Sequence, residues 1–169
     1  MHQLLLLRHA KSSWDEPKLA DRDRPLSKRG RRAAAAMRTV IIELGLTPDL
    51  VLVSPSRRTL ETLAALEPWE DTPLVESLEG LYLATAPQLF VVLGEVNETV
   101  RSVMLIGHNP GMHELAVMLA GASPGRLTGG FPTAALAEFS IATPWQRLDA
   151  AGARLVRFLT PRDLSETAT

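Results

Sequence analysis

The chain has 169 residues, 46% hydrophobic and 22% charged, a formal net charge of −1 and no cysteine. This length fits one domain with its own hydrophobic core. The near-zero charge argues against a general attraction to nucleic acid or to membranes. The lack of cysteine excludes disulfides, thiolate catalysis and cysteine-ligated metal sites. The N-terminal apolar run is too short for a signal peptide or a transmembrane helix, and we therefore expect a cytoplasmic protein.

Short apolar runs alternate with helical patterns along the chain. The predicted strands cover residues 3–8, 49–53, 102–106, 135–141 and 153–159. The predicted helices cover residues 27–43, 56–66, 88–97 and 110–119, while residues 74–82 are ambiguous. Alternation of this kind predicts an α/β fold, a three-layer α/β/α sandwich with a mostly parallel central sheet. We expect a single domain over residues 1–160, followed by a polar, frayed C-terminal tail over residues 161–169.

Two histidines each follow one of these apolar runs. Arg8 and His9 come after Leu4–Leu7, and His108 comes after the run that ends at Ile106. Open α/β sheets bind ligands at the carboxyl ends of their strands. A histidine can attack phosphorus as a nucleophile, and the planar fork of an arginine neutralises two phosphoryl oxygens at once. The pattern therefore predicts a phosphoryl-transfer site that contains Arg8, His9 and His108.

A basic pair opens the helix that follows the second predicted strand. Arg57 and Arg58 lie after Ser54-Pro55-Ser56, at a helix N-terminus that favours anions. Adjacent side chains on a helix point about 100° apart. We therefore expect only one of the two arginines to face a bound phosphate and the other to be solvated.

The remaining ionisable residues carry weaker signals. Glu76 and Glu79 are candidate proton donors to a leaving group, although acidic residues near loops are usually only solvated. Asp21 and the acidic residues around it give no signal beyond a possible substrate rim or local charge pairing. His2 and His113 are expected to be structural or solvent-facing. No metal-ligand spacing, Walker loop or dinucleotide fingerprint occurs, so we predict no metal and no cofactor.

Three ordered motifs resemble those of a known family. Arg8-His9-Ala10 resembles the Arg-His-Gly signature of the histidine phosphatase superfamily, also called phosphoglycerate mutase-like. Residues 54–62 are similar to its Ser-Pro-x-x-Arg-Ala-x-Gln-Thr motif, with Thr59 and Glu61 as departures, and Gly107-His108-Asn109 resembles the third motif. Residues 8–14 and 23–30 look most like the small bacterial SixA-type phosphohistidine phosphatases.

The resemblance implies a phosphoglycerate mutase-like fold and a role for each matched residue. His9 would be the phosphorylated nucleophile, Arg8, Arg58 and His108 would complete the phosphate pocket, and Ser12 and Asn109 would contribute to substrate binding. Glu76 fits the family's Leu-x-Glu context for the acid, whereas the branch's own Leu-Tyr-x-Ala pattern at residues 81–84 competes with that alignment.

The implied activity is hydrolysis of phosphohistidine on a partner protein, such as a phosphotransfer domain, without metal or cofactor. Two alternatives stay open. One is a small-molecule phosphomonoester phosphatase or mutase of the same superfamily, and the other is a non-catalytic phosphate-binding or interaction module. The short chain without long insertions favours an open site and a protein substrate.

Overall fold

A computed structural model of the chain describes residues 1–166. Its six strands are β1 (His2–Arg8), β2 (Leu50–Val53), β3 (Leu74–Ser77), β4 (Ser102–Gly107), β5 (Leu136–Ile141) and β6 (Ala153–Leu159). Its five α-helices are α1 (Lys28–Glu43), α2 (Arg57–Ala65), α3 (Ala86–Gly94), α4 (Gly111–Ala120) and α5 (Pro161–Glu166). Short 3₁₀ turns lie at Asp21–Asp23, Glu79–Leu81, Gly125–Gly129 and Trp145–Arg147.

The six strands form one sheet in the order β3-β2-β4-β1-β5-β6. Pairing is parallel among β1, β2, β3 and β4, and antiparallel from β1 to β5 and from β5 to β6. The prediction of an α/β fold with a mostly parallel sheet is confirmed. The last two strands, β5 and β6, form an antiparallel pair. The segment that was ambiguous in the sequence contributes an exposed edge strand followed by a 3₁₀ turn.

The strand register brings the ends of β1, β2 and β4 to one edge of the sheet. Arg8 lies opposite Gly107, and Val53 lies opposite Ile106. The residues that follow these strands therefore leave the sheet side by side, which is what assembles the site described below.

The side chains of β1 alternate between two hydrophobic clusters. Leu4 and Leu6 are fully buried in a cluster that includes apolar residues of α3 and α4. Leu5 and Leu7 point to the other face, in a cluster that contains Met37 of α1 and apolar residues of α2. Because both faces of the central strands are covered by helices, these strands appear in the sequence as unbroken apolar runs.

Local capping sets where the two site-proximal helices begin. The Ser27 hydroxyl accepts a hydrogen bond from the Gly30 amide at the start of α1, and the Ser56 hydroxyl accepts one from the Thr59 amide at the start of α2. Each cap satisfies an amide that has no partner inside its helix. Gly45, with φ +65°, follows the end of α1 in the left-handed conformation that glycine tolerates best.

The expectation of a frayed tail is wrong over residues 161–166. These residues form α5, and Leu164 packs against the cluster on the α1 side of the sheet. A single apolar residue in a polar segment gives no periodic signal, so this docking was not visible in the sequence. Residues 167–169 lie outside the described part of the chain. Among residues 1–166, no helix has the length and apolar character needed to cross a membrane.

Candidate active site

The two histidines that follow β1 and β4 lie side by side. The ring centroids of His9 and His108 are 5.3 Å apart, and the residues are 7% and 3% exposed. They are 99 positions apart in the sequence, so the parallel pairing of β1 with β4 is what joins them. The predicted convergence of the two imidazoles at one edge of the sheet is therefore present in the fold.

One ring nitrogen of His9 is used to hold the ring. His9 Nδ1 lies 2.7 Å from the carbonyl oxygen of Ala10, to which it donates a hydrogen bond. In the neutral imidazole the lone pair is therefore on Nε2. Burial, together with the charges of Arg58 and Arg8, lowers the pKa of His9 from 6.5 to about 4. The ring is thus neutral and nucleophilic near pH 7.

The hydrogen bonds of His108 fix its tautomer. Arg58 Nη2, which can only donate, lies 3.3 Å from His108 Nδ1, so Nδ1 is the acceptor. Nε2 then carries the hydrogen and donates it to the Ser54 hydroxyl oxygen at 2.7 Å. Burial, the neighbouring His9 and the charge of Arg58 lower the pKa of His108 to about 3.

The fold separates the two arginines at the start of α2. The Arg58 side chain is 6% exposed and faces the histidines, whereas the Arg57 side chain is 55% exposed and pairs with Glu61 at 3.0 Å. Arg58 also donates from Nη1 to the main-chain oxygen of Asp21 at 2.8 Å and from Nη2 to the Asp21 carboxylate at 3.0 Å. The expectation that only one arginine faces the site agrees with this placement.

Asp21 and Tyr82 belong to the site, although sequence reasoning did not single them out. The Tyr82 hydroxyl donates to the Asp21 carboxylate, and the Tyr82 ring meets His108 edge-on at 5.4 Å. The hydrogen bond from Tyr82 and the interaction with Arg58 lower the pKa of Asp21, which is therefore ionised at neutral pH. The alternating Asp and Arg residues around position 21 indicated a substrate rim or local charge pairing. No local pattern connects Asp21 to Arg58 and Tyr82, which are 37 and 61 positions away.

Arg8 and Asn109 converge on one main-chain oxygen. Arg8 Nη1 donates to the Phe131 carbonyl at 3.1 Å, and Asn109 Nδ2 donates to it at 2.9 Å. Asn109 Oδ1 accepts from the His113 amide at 3.2 Å, so both ends of this side chain hold the turn after β4. Within residues 1–166, the buried Nε of Arg8 has no hydrogen-bond partner. An anion beside this guanidinium would satisfy that donor.

Thr62 of α2 ties two parts of the site together. Its hydroxyl oxygen accepts a hydrogen bond from the Ala10 amide at 3.0 Å and donates to the Arg58 carbonyl at 2.7 Å. The segment after His9 and the backbone of Arg58 are thus joined through one buried side chain. The signal for Thr62 was its place as the last residue of the second motif.

The comparisons with known proteins agree with this geometry. The family model of the histidine phosphatase superfamily (branch 1) matches residues 4–81. The crystal structure of SixA from Agrobacterium tumefaciens superposes with a TM-score of 0.82 and 30% identity, covering 95% of this chain and 98% of that one. The chain belongs to the histidine phosphatase superfamily, in its SixA-type branch.

Further relatives of this SixA-type chain differ in how much of their length is matched. The protein histidine phosphatase SixA complexed with tungstate has a TM-score of 0.78 and 25% identity, over 96% of this chain and 99% of that one. An uncharacterised chloroplastic protein of Arabidopsis thaliana is 38% identical over 131 residues, which are 72% of this chain and 60% of that protein. The chain therefore spans less than two thirds of the length of this relative.

Three other predicted site residues of the SixA-type chain, Ser12, Glu76 and Glu79, make their described contacts with residues other than the two histidines. The Ser12 hydroxyl accepts a hydrogen bond from Arg24 at 3.1 Å. Glu79 is exposed and pairs with Arg22 at 2.5 Å, and Glu76 is exposed on the edge strand β3. Within residues 1–166, no hydrogen bond or ion pair connects either glutamate to His9 or His108, so their role as acid stays a prediction.

No group of three or more potential metal ligands is found within residues 1–166. The positive charge beside His9 and His108 comes from the guanidinium groups of Arg8 and Arg58. The Arg58 side chain is 6% exposed, and Arg8 is half-buried.

 

Proposed function

We propose that the protein is a phosphohistidine phosphatase that acts on a partner protein through a covalent phosphohistidine intermediate at His9. One observation carries the proposal: two neutral imidazoles and two guanidinium groups meet at the carboxyl ends of β1, β2 and β4. The similarity to SixA-type proteins over almost the whole chain supports the same conclusion.

In the first step, the lone pair on His9 Nε2 attacks the phosphorus atom of the substrate. A bond forms between Nε2 and phosphorus while the bond from phosphorus to the substrate imidazole breaks. The substrate ring reacts in the form protonated on its other nitrogen, so it leaves as neutral imidazole that keeps this proton. Arg8 and Arg58 hold the charge that spreads over the equatorial oxygens, which is the largest contribution to catalysis of phosphoryl transfer. Asp21 and Tyr82 act as positioning residues, because they hold the Arg58 guanidinium in place.

In the second step, water hydrolyses the phosphohistidine at His9. The water oxygen bonds to phosphorus while the bond to Nε2 breaks, and one water proton passes to the released phosphate. His9 returns to the neutral form, because burial and the two arginines keep its pKa at about 4. The site is then ready for another turnover.

A dedicated carboxylic acid is not required for this substrate. The phosphorus–nitrogen bond releases imidazole, which is a better leaving group than an alkoxide. Asp21 is ionised near pH 7, because the hydrogen bond from Tyr82 and the charge of Arg58 lower its pKa. It therefore orients charge and does not donate a proton.

The connections around the site favour a protein substrate. The segments that follow β1 and β3 each contain a single 3₁₀ turn before the next helix, and β2 and β4 lead almost directly into α2 and α4. Within residues 1–166, no inserted subdomain lies between the strand ends and the site. An open site of this kind suits a phosphohistidine presented on another protein, whereas a lidded pocket would suit a small metabolite.

The deciding experiment compares turnover of a phosphohistidine peptide with turnover of a panel of small phosphate esters. The peptide should be the better substrate, and chelation by EDTA should leave the rate unchanged, because arginine side chains supply the charge. His9→Ala should abolish turnover and acid-labile phosphate labelling, while the control His2→Ala should retain both. A preference for small esters would favour the small-molecule alternative, and absence of any turnover or labelling would favour a binding module.

A further inference from the structure

An open cleft lies beside the proposed catalytic site. It has a volume of about 780 Å³ and runs between the segment 11–16 and the start of α1. Lys11 hydrogen-bonds through its main-chain oxygen to the Ser27 amide at 2.9 Å, which fixes the two walls relative to each other. We call this feature the α1 cleft.

The α1 cleft is basic in a protein whose net charge is −1. Two acidic residues line it, Asp15 and Glu16. Five basic residues line it, all of them exposed: Lys11, Lys28, Arg29, Arg31 and Arg32. Among the side chains described for residues 1–164, none of these five forms an ion pair with a carboxylate. The cleft therefore presents positive charge to a partner.

A second cavity extends this positive surface. It has a volume of about 330 Å³ and shares Lys11 and Arg29 with the α1 cleft. Its wall includes Pro132 and Thr133, which directly follow the residue whose carbonyl binds Arg8 and Asn109. The basic surface thus continues along the edge of the site.

An aromatic side chain stands on the wall of the α1 cleft. Trp14 is 70% exposed, and the guanidinium of Arg24 lies over its ring. Arg24 is itself 5% exposed and donates to the Ser13 carbonyl at 3.2 Å and the Ser12 hydroxyl at 3.1 Å. An exposed tryptophan on a rigid support is typical of a protein-binding surface.

We propose that the α1 cleft docks an acidic segment of the phosphoprotein partner while the phosphohistidine of that partner enters the site. The proposal rests on the proposed function. Lys11 is two residues from His9, so their Cα atoms are within about 7 Å of each other. A protein that presents phosphohistidine to His9 must therefore cover this end of the cleft, and acidic side chains would complement it.

The experiment uses two peptides of equal length with a central histidine, flanked by glutamates in one and by glutamines in the other. Unphosphorylated peptides are used for binding by fluorescence anisotropy, and phosphorylated peptides for turnover. At low salt, the wild-type protein should bind the glutamate peptide about tenfold more tightly than the glutamine peptide. A difference of this size is expected because a few surface ion pairs each contribute a modest binding free energy. High salt should remove the difference through screening.

The double variant Arg29→Glu/Arg32→Glu should lose this selectivity in binding and in kcat/KM. Acidic residues near the start of a helix complement its dipole, so the variant is expected to fold. The control double variant Arg101→Glu/Arg154→Glu changes the net charge by the same amount. Its two exposed positions lie at the starts of β4 and β6, at the opposite end of the strands from the site. This control should keep the selectivity for the glutamate peptide.

Equal binding of the two peptides by the wild-type protein would overturn the docking proposal, as would selectivity that survives in the double variant. Tighter binding of single-stranded DNA than of the glutamate peptide would overturn it in favour of a nucleic-acid surface. Failure of the proposed function is a separate result, because it would appear as absence of phosphohistidine turnover whatever the binding selectivity.

Discussion

Replacing Arg58, and separately its sequence neighbour Arg57, tests whether Arg58 is the arginine that serves the site. Arg58→Ala removes the donors to His108 Nδ1 and to both oxygens of Asp21 that it contacts. Arg57→Ala removes an adjacent arginine whose side chain is 55% exposed and pairs only with Glu61 among the described ion pairs. The two variants delete the same chemical group from consecutive positions, so they differ mainly in which side of α2 they affect.

The structure sets different magnitudes for the two changes. Loss of one charged donor aimed at the reacting group typically reduces kcat by about 10²–10³-fold, and we expect this for Arg58→Ala. Arg58 is buried but Asp21 is half exposed, so we expect a loss of about 1–2 kcal/mol in stability. This corresponds to roughly 2–8 °C in Tm for a chain of this size. Arg57→Ala breaks an exposed pair worth about 0.3–0.5 kcal/mol, and its kcat/KM should stay within about twofold.

The assay is steady-state hydrolysis of a phosphohistidine peptide at pH 7 and 25 °C, with thermal unfolding measured on the same samples. Arg58→Lys keeps the charge without the planar fork and should fall between wild type and Arg58→Ala. Equal losses in Arg57→Ala and Arg58→Ala would refute the assignment of Arg58 to the site. If the loss of activity in Arg58→Ala equals the fraction of that variant that is unfolded at the assay temperature, the substitution acts on stability alone.

Three further predictions concern pH, packing and positioning. His9 and His108 have pKa values of about 4 and about 3 in the fold against 6.5 ordinarily, so the unfolded chain binds protons first below pH 6.5. The free energy of unfolding of the wild-type protein, measured in urea, should therefore fall as the pH drops from 7 to 5. The double variant His9→Gln/His108→Gln should show a smaller fall over the same pH range. A fall equal to that of the wild type would contradict the assignment of the pH effect to these two histidines. Gly111→Ala would place a Cβ 1.9 Å from the Ala84 carbonyl oxygen, so it should lower the free energy of unfolding by about 1–3 kcal/mol. The control Gly80→Ala, whose Cβ would meet no atom within 4 Å, should leave Tm unchanged. Similar Tm values for the two variants would contradict this packing argument. Asp21→Asn should lower kcat/KM about tenfold by weakening a charge-assisted hydrogen bond, and an unchanged kcat/KM would show that Asp21 does not position the site.

Much of the architecture followed from local patterns. The apolar runs around Leu4–Leu7 and before His108 identified strands buried on both faces, and strand ends in a parallel sheet lie at one edge. Those two facts predict that His9 and His108 lie at the same edge of the sheet, and the pairing of β1 with β4 in the fold makes them neighbours. Helix geometry predicted that only one of Arg57 and Arg58 faces the site, because consecutive side chains on a helix point in different directions. The resemblance to the family's second motif indicated that this one is Arg58.

Only the tertiary structure placed Asp21 and Tyr82 against Arg58 and His108, and only it separated Glu76 from the histidines. The sequence by itself determined most of the strands and helices, because that choice depends on the periodicity of neighbouring residues. The exceptions are β3 and α5, whose short segments have no clear period. The positions of side chains on loops depend on contacts between residues tens of positions apart, and no local periodicity encodes those contacts.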